Sequence, residues 1–370
     1  MAEPLKNSFG PEVPETIARM VETADPSFDS AAFLAQALDG YDALELTPRA
    51  KQIAAALAEH LPADRQRALE ILIASLGPEI GDSELTGMEV FVYLPHVYFV
   101  AEHGLEHFDL AMRAQYELTK RFTAEFSLRA YIERYPAETL ARLHSWADDP
   151  NVHVRRLVSE GCRPRLPWAP RLRRFQEDPA PVLELLELLK DDSEEYVRRS
   201  VANCLNDIAK DHPDRVVETV RRWWPDADPD ERRMIRHALR TLIKQGNAGA
   251  LGVLGYGSDS PVVVRAVRCT PESLPIGGKI QLEIEIVNPS KDLAGALVDL
   301  RVHFVKANGS TAPKVFKGGE LELGPGEQAV VRKKISVAQH STRTHYPGRH
   351  TVEVLLNGTA HPGGGFDLTA

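Results

Sequence analysis

Two Arg-x-x-x-Glu pairs are the first residues whose types and spacing suggest chemistry. Arg121 and Glu125 precede Arg156 and Glu160 by 35 residues and repeat the same pattern. Four residues are about one helical turn, so each pair would share a helix face and could form an ordinary surface ion pair. Glu125 would also interrupt a largely apolar stripe that includes Phe122. A carboxylate in such a place needs a partner or a chemical role, such as stabilising a cation or activating water.

The segment around the second pair is strongly basic. Between Pro150 and Phe175 the chain has seven arginines and a single acid, Glu160. Arginine is well suited to binding phosphate, so this segment could contact a nucleic-acid backbone. The net charge of −9 argues against a protein that coats nucleic acid through a uniformly basic surface. Residues 261–370 carry 13 basic and 10 acidic side chains, so basic character is confined to these two regions.

The elements that position these residues repeat along the chain. The segment Asp149–Arg156 returns as Asp192–Arg199 after 43 residues, and a third copy begins at Asp228, with its apolar position 38 residues further on. These periods are typical of HEAT helix pairs, which stack into a curved solenoid. We expect each Asp to cap its helix, with Pro at the first helical position in two copies.

Superposing the copies predicts which polar side chains share one face. Arg156 corresponds to Arg199 in the second copy, and Glu160 corresponds to Asn203. Asp207 lies one further turn beyond Asn203 on the same polar stripe.

Helical periodicity extends to about Gly246 and gives way to two-residue alternation after a linker rich in Gly and Ser. In the run Lys279–Val287 every second residue is apolar, as a half-buried strand requires. The sequence therefore predicts a mainly α protein, with a HEAT-like repeat α-solenoid in residues 1–257 and an immunoglobulin-like β-sandwich in residues 258–370. The helices predicted in the first part are Ala31–Leu38, Arg49–His60, Asp64–Leu76, Ala111–Tyr135, Ala137–Ala147, Pro181–Lys190 and Pro213–Trp223.

Three segments carry a family resemblance: Phe122–Arg129, Val154–Trp168 and Tyr196–Lys210. Together they resemble the AlkC branch of the HEAT-like DNA alkylation-repair glycosylases, over roughly Phe91 to Lys244. The motif Ser-Glu-Gly-x-Arg-Pro-Arg-Leu-Pro-Trp at 159–168 is not a general HEAT consensus. The resemblance implies hydrolytic excision of N3-alkylated adenine and cytosine from double-stranded DNA. It further implies that the base is not flipped, that no metal or other cofactor takes part, and that the C-terminal domain is immunoglobulin-like.

The resemblance also implies roles for the polar residues. Glu125, Glu160 and Asp207 are the candidate catalytic acids, which would stabilise positive charge on the sugar and orient water. Trp168 could pack on a cationic base through cation–π attraction, although a loop Trp that closes the core is an equal alternative. The candidate DNA-binding residues are Arg156, Trp168, Arg155, Arg163, Arg165, Arg199 and Asn203. The basic runs Arg332–Lys334 and Arg343–Arg349 predict that the C-terminal domain helps to hold DNA.

Two other functions remain open on sequence grounds. A non-catalytic HEAT scaffold could bind a protein partner, but it has no need for acids on its basic face. The motif His103-Gly104-Leu105-Glu106-His107 matches a zinc-peptidase pattern and would make the protein a zinc hydrolase, although no third ligand can be identified and we expect no metal. Three cysteines without disulfide spacing, and no long apolar run, predict a cytoplasmic protein that does not enter the membrane, which we expect to be a monomer.

Overall fold

The structure is a computed structural model that describes residues 5–81, 87–257, 260–339 and 344–370. The chain divides into two compact units. One comprises residues 1–212 and 227–238, and the other comprises residues 213–226 and 239–370. The predicted domain boundary at residues 257 and 258 falls beside positions 258–259, which lie outside the described residues, and it stays a prediction.

Helices account for the regular structure of the described residues up to position 253, and none of them is long and apolar enough to cross a membrane. Short 3₁₀ turns occur at Leu5–Ser8, Tyr41–Ala43 and Glu89–Tyr93. The α-helices are α1 (Glu12–Ala24), α2 (Ser30–Ala37), α3 (Leu46–His60), α4 (Arg65–Ala74), α5 (Leu94–His103), α6 (Phe108–Thr119), α7 (Leu128–Arg134), α8 (Pro136–Trp146), α9 (Val152–Gly161), α10 (Arg173–Glu177), α11 (Ala180–Glu187), α12 (Glu195–Ile208), α13 (Pro213–Trp223), α14 (Pro229–Ala238), α15 (Arg240–Gln245) and α16 (Ala248–Val253).

Amphipathic spacing explains why most predicted helices form. In α13, Val216, Val220 and Trp223 are buried on one face while Arg221 and Arg222 are exposed. The predicted bounds of α13 match the structure, and those of α2, α3, α4, α8 and α11 agree to within a few residues.

One predicted helix is wrong. The segment 111–135 does not form a single helix, because α6 ends at Thr119 and α7 begins at Leu128. The Thr123 hydroxyl accepts a hydrogen bond from the backbone N–H of Glu125, at 3.3 Å. Such local side-chain bonds compete with helical ones and favour a turn. Glu125 therefore lies in a loop, and Arg121 and Glu125 do not share a helix face.

The repeated helices α9, α12 and α14 pack against one another in succession. Capping follows the prediction at α14, where the Asp228 carboxylate accepts the backbone N–H groups of Asp230 and Glu231 and Pro229 opens the helix. The prediction is wrong at α12, whose N-cap is Glu194, and at α9, whose N-cap is Asn151 and which begins after Pro150. Asp149 instead accepts the N–H of Asn151, two residues on, a bond that Asp forms readily in turns.

The C-terminal unit contains two packed sheets. The strands are β1 (Val263–Thr270), β2 (Ser273–Pro275), β3 (Lys279–Val287), β4 (Ala294–Val305), β5 (Thr311–Leu323), β6 (Gln328–Ser336), β7 (Gly348–Leu356) and β8 (Thr359–Thr369). One sheet has the order β1-β3-β6 and the other β2-β8-β7-β4-β5. All neighbours are antiparallel except β2 and β8. The inward residues of both sheets, among them Ile284, Leu300 and Val354, form one apolar core. This confirms the predicted β-sandwich.

Two long strands, β5 and β8, carry no clear sequence signal. Strand β5 contains Pro313, which an edge strand tolerates because it lacks a neighbour on one side. Strand β8 contains three consecutive glycines, and a Cβ added at Gly365 would lie 2.3 Å from the carbonyl oxygen of His350. Glycine is therefore required where the two backbones approach most closely.

Candidate active site

Glu160 lies near the C-terminal end of α9 and is only 5% exposed. Its Oε1 accepts a hydrogen bond from Nη1 of Arg163 at 2.6 Å, and its Oε2 accepts one from the Ser200 hydroxyl on α12 at 2.7 Å. The Ser159 hydroxyl in turn donates to Ser200 at 2.7 Å. Both oxygens of this buried carboxylate are thus held, one by Arg163 just beyond the end of α9 and the other by Ser200 on α12.

Arg156 joins Glu160 to Glu125. Its Nη1 lies 2.6 Å from Oε2 of Glu125, and its Nη2 lies 3.5 Å from Oε1 of Glu160. The Thr123 hydroxyl donates to Glu125 Oε2 at 3.0 Å and so orients the same oxygen. The structure therefore brings Glu125 and Glu160 together, although they come from a loop and a helix.

Asp207 lies on α12, contacts Arg163 and is 2% exposed. Nε of Arg163 is 2.9 Å from its Oδ2, and Nζ of Lys210 is 2.9 Å from its Oδ1. Acids and bases therefore alternate in one network, which we call the acid–arginine ladder: Glu125, Arg156, Glu160, Arg163, Asp207 and Lys210.

The charges of the acid–arginine ladder shift the pKa values of its central members, Glu160 and Arg156. Burial alone would raise the pKa of the Glu160 carboxyl, but Arg156, Arg163 and the Ser200 hydroxyl outweigh burial and hold that pKa below its ordinary value of 4.5. Burial alone would lower the pKa of Arg156, yet the negative charges of Glu125 and Glu160 raise it. Glu160 is therefore a carboxylate at neutral pH, between two permanently charged guanidinium groups.

Glu125, Arg156 and Glu160 line a cavity of about 460 Å³. Asp207 is not among its lining residues. Trp168 lies at the cavity and is 67% exposed, in the left-handed region with φ 62°. The alternative in which this Trp closes the core is wrong, because its side chain is largely in contact with solvent. The other lining residues are Gly87, Val90, Phe91, Phe122, Thr123, Phe126, Leu166, Pro167, Tyr196 and Arg199.

Tyr196 is a cavity residue that the sequence analysis did not single out. The guanidinium carbon of Arg156 lies 5.5 Å from its ring centre and that of Arg199 lies 5.8 Å away, both within cation–π range. His153 packs edge-on against the same ring at 5.7 Å. Position 196 follows Asp192 of the second repeat by four residues, and only the family motif signals it.

Three further candidate DNA-binding residues lie away from the cavity lining. Arg155 pairs with Asp192 at 2.7 Å, and Arg165 pairs with Asp211 at 2.6 Å. Asn203 lies 3.3 Å from a ring nitrogen of His237. Arg163 is also absent from the lining, because Glu160 and Asp207 enclose it.

The residues of the zinc-peptidase motif do not have the geometry that zinc binding requires. His103 ends α5, while His107 is the N-cap of α6. The two imidazoles therefore do not lie one turn apart on a single helix, as metal binding by this motif needs. Within the described ranges, no three His, Cys, Asp or Glu side chains are grouped as metal ligands.

Two protein-family models and a full-length relative are similar to this chain. A family model described as "DNA alkylation repair enzyme" matches residues 47–242, and one described as "Uncharacterised protein YhaZ, C-terminal Ig-like domain" matches residues 263–370. The uncharacterized protein YhaZ of Bacillus subtilis (strain 168) is 33% identical over 355 residues, which are 96% of each chain.

A solved structure is also similar over the whole chain. The Pseudomonas fluorescens alkylpurine DNA glycosylase AlkC, bound to DNA containing an abasic site analog, has 37% identity and a TM-score of 0.87, with 100% of both chains covered. The resemblance predicted from three sequence segments is thereby confirmed, as is the immunoglobulin-like class of the β-sandwich. The chain belongs to the DNA alkylation repair enzyme family and has an AlkC-like fold.

Proposed function

We propose that the protein is a monofunctional DNA glycosylase of base excision repair. Its substrates would be the N3-alkylated bases 3-methyladenine and 3-methylcytosine in double-stranded DNA. One observation carries the proposal: two carboxylates, Glu125 and Glu160, line one cavity beside an exposed aromatic ring, and both are held by arginine. The similarity to a glycosylase bound to DNA supports it.

The chemistry of the lesion suits such a cavity. Alkylation at N3 makes the base cationic, so the base takes the electron pair of the N-glycosidic bond and departs neutral. Positive charge then develops on the deoxyribose, as in other glycoside hydrolyses. Carboxylates fixed beside the sugar stabilise this charge without reorganising. Water adds to the sugar carbon and loses its proton to a carboxylate, which leaves an abasic site and a free base.

The ladder supports different tasks for its three acids. Glu125 and Glu160 line the cavity and would act on the sugar and the water directly. Asp207 holds Arg163, which in turn holds Glu160. We therefore propose that Asp207 acts as a positioning residue and does not touch the substrate.

The aromatic and basic lining would bind the lesion nucleotide. An exposed indole attracts a cationic base through its π face, which favours Trp168 as the contact. Arg156 and Arg199 would hold phosphate or sugar edges. Arg155 and Arg165 do not line the cavity and are paired with Asp192 and Asp211, so we propose that any phosphates they contact lie further from the lesion.

We further infer that the helical region is a HEAT-like solenoid and that the base is not flipped. The successive packing of α9, α12 and α14, at the spacing of the sequence repeat, supports the solenoid. Absence of flipping follows from the resemblance. It predicts that a fluorescent base analogue next to the lesion stays stacked when the protein binds, whereas a bright signal from an unstacked base would contradict it.

Base release tests the function. Methylated duplex DNA is incubated with the protein, and free bases are separated by chromatography. We expect release of 3-methyladenine and 3-methylcytosine but little release of uracil, because a neutral base is a poorer leaving group. Chelators should leave the rate unchanged. A protein that binds duplex DNA and releases no base would instead be the non-catalytic scaffold.

A further inference from the structure

The loop that carries Trp168 has an unusual backbone. We call residues 164–172 the Trp168 loop, and the N–H of Leu172 closes it by donating to the carbonyl oxygen of Pro164 at 3.2 Å. Trp168 has φ 62°, a region that residues other than glycine rarely adopt. Its side chain gains little packing in return, because it is 67% exposed. Some other interaction must fix this conformation.

Arg129, on α7, supplies that interaction. Its side chain is buried, and its hydrogen bonds run to backbone carbonyl groups on both sides of Trp168. Nη1 donates to the carbonyl oxygen of Arg163 at 2.9 Å and more weakly to that of Gly161 at 3.4 Å. Nε donates to the carbonyl oxygen of Pro170 at 2.9 Å, and Nη2 donates to the same oxygen. One guanidinium group therefore ties the two ends of the loop together.

This placement is costly for a cation. Burial lowers the pKa of Arg129 to about 10, although the charges of Glu125 and Glu133 partly oppose that effect. Its hydrogen-bond partners in the described residues are neutral carbonyls, so no carboxylate in direct contact balances the charge. The planar fork of arginine can reach several carbonyl groups at once, which a lysine ammonium cannot do with the same geometry.

The Trp168 side chain lines two cavities. Trp168 and Phe126 line the 460 Å³ cavity that contains Glu125 and Glu160. They also line a second cavity of about 340 Å³, which Arg129 itself borders. Because the ring is also 67% exposed, few neighbouring side chains hold it, and its position depends on the backbone of the Trp168 loop.

We propose that Arg129 is a positioning residue for excision, which clamps the Trp168 loop and so fixes the indole against the lesion nucleotide. The contact with the lesion rests on the proposed function, whereas the clamp itself does not. A misplacement of about 1 Å can cost roughly a hundredfold in rate, so loss of the clamp should slow excision by roughly 10- to 100-fold.

The test combines two single variants with their double variant. Arg129→Gln removes the clamp, and Trp168→Gly removes the ring while allowing the positive φ. Single-turnover excision at saturating protein is measured for each. If Arg129 acts through Trp168, the double variant should excise within about twofold of Trp168→Gly alone, because non-additivity reports shared action. Multiplied losses in the double variant would overturn the proposal, and so would a wild-type rate for Trp168→Gly.

A second measurement does not depend on catalysis. The emission of Trp168 is obtained by subtracting the signal of the matching Trp168→Gly protein, and its anisotropy decay is recorded. Arg129→Gln should add a fast nanosecond component, and Arg129→Lys a smaller one. Arg142→Gln, which breaks an exposed pair with Asp109, is the matched control and should add none.

The two measurements separate the possible failures. An unchanged decay in Arg129→Gln overturns the clamp. A wild-type protein that releases no base refutes the proposed function, while the decay still decides whether Arg129 holds the loop. If Arg129→Gln does not fold, Arg129→Lys carries the same comparison, with an unchanged decay again counting against the proposal.

Discussion

Glu160→Gln is the sharpest test of the site. The amide has nearly the shape of the carboxylate and can still accept the hydrogen bond from Ser200. What it loses is one negative charge, which lies 2.6 Å from Nη1 of Arg163 and 3.5 Å from Nη2 of Arg156. It also loses one acceptor, because the amide nitrogen faces Nη1 of Arg163 if the amide oxygen keeps the bond from Ser200. The substitution therefore preserves the volume of Glu160 while removing its charge and one of its two acceptor atoms.

The expected loss of activity follows from the charge. Two unit charges about 4 Å apart interact by about 4 kcal/mol at an effective dielectric constant near 20. That energy corresponds to about a thousandfold in rate. Arg156 and Arg163 already offset part of the field of Glu160, so we expect excision to slow by about 100- to 1,000-fold.

The loss of stability should be smaller than for a typical broken buried ion pair. Arg156 keeps Glu125 at 2.6 Å, and Arg163 keeps Asp207 at 2.9 Å. Neither guanidinium is left without a carboxylate, so the free energy of unfolding should fall by about 1–3 kcal/mol, compared with about 3–5 kcal/mol when a charge is stranded.

The assay is single-turnover release of 3-methyladenine, with DNA affinity and denaturant unfolding measured on the same preparations. Glu117→Gln is the matched control, since Glu117 also binds two basic side chains, Arg121 at 2.9 Å and Lys120 at 3.3 Å, but does not line the cavity. Affinity for DNA should stay near normal in Glu160→Gln, because removing a negative charge does not weaken attraction to phosphate.

Two results would refute this reasoning. Excision by Glu160→Gln at the rate of Glu117→Gln would mean that the charge of Glu160 plays no part in the reaction. A loss of excision that only parallels the unfolded fraction would mean that Glu160 is structural.

Three other predictions concern the ladder and the β-sandwich. Because the pKa of Glu160 is below its ordinary value of 4.5, its charge stabilises the folded state above that pH and ceases to do so as the pH falls through the lowered pKa. The difference in unfolding free energy between wild type and Glu160→Gln should therefore be constant near neutrality and shrink only below about pH 4.5. Asp207→Asn should slow excision less than Glu160→Gln, through looser placement of Arg163, and a larger effect would indicate direct contact with substrate. Lys333→Glu combined with Lys334→Glu should weaken DNA binding and make its salt dependence shallower, by about 0.9 in logarithmic slope for each lost phosphate contact. Unchanged affinity would give the sandwich another role; point variants suit this test better than deletion, since residues 239–257 belong to the same compact unit.

Periodicity predicted the elements whose burial is regular. The bounds of α13 and β3 agree with the sequence pattern because each buries one uninterrupted apolar face. The break between α6 and α7 was not predicted, since the hydrogen bonds of Thr123 decide it and leave the apolar spacing intact. Strands β5 and β8 were not predicted, because their prolines and glycines have low strand propensity. The positions of these strands in the sheet allow those residues.

At the site, the sequence indicated which residues matter better than how they are paired. Superposing the repeat aligned Arg156 and Glu160 with later copies, and both line the cavity. The ion-pair partner of each arginine could not be predicted from the sequence, because long side chains at adjacent positions contact different neighbours. Arg155 turns to Asp192, whereas Arg156 turns to Glu125. Basic patches counted from sequence therefore overstate the arginines that are available to phosphate.

The alternation of charge along the acid–arginine ladder constrains how this protein can evolve. Each interior member lies between two groups of opposite sign, so replacing one of them by a neutral residue weakens two interactions at once. A second replacement at a neighbouring position can restore local neutrality and recover part of the loss. Substitutions in the ladder should therefore be epistatic and should occur in compensating pairs. Single substitutions should be tolerated at the exposed pair of Arg142 and Asp109.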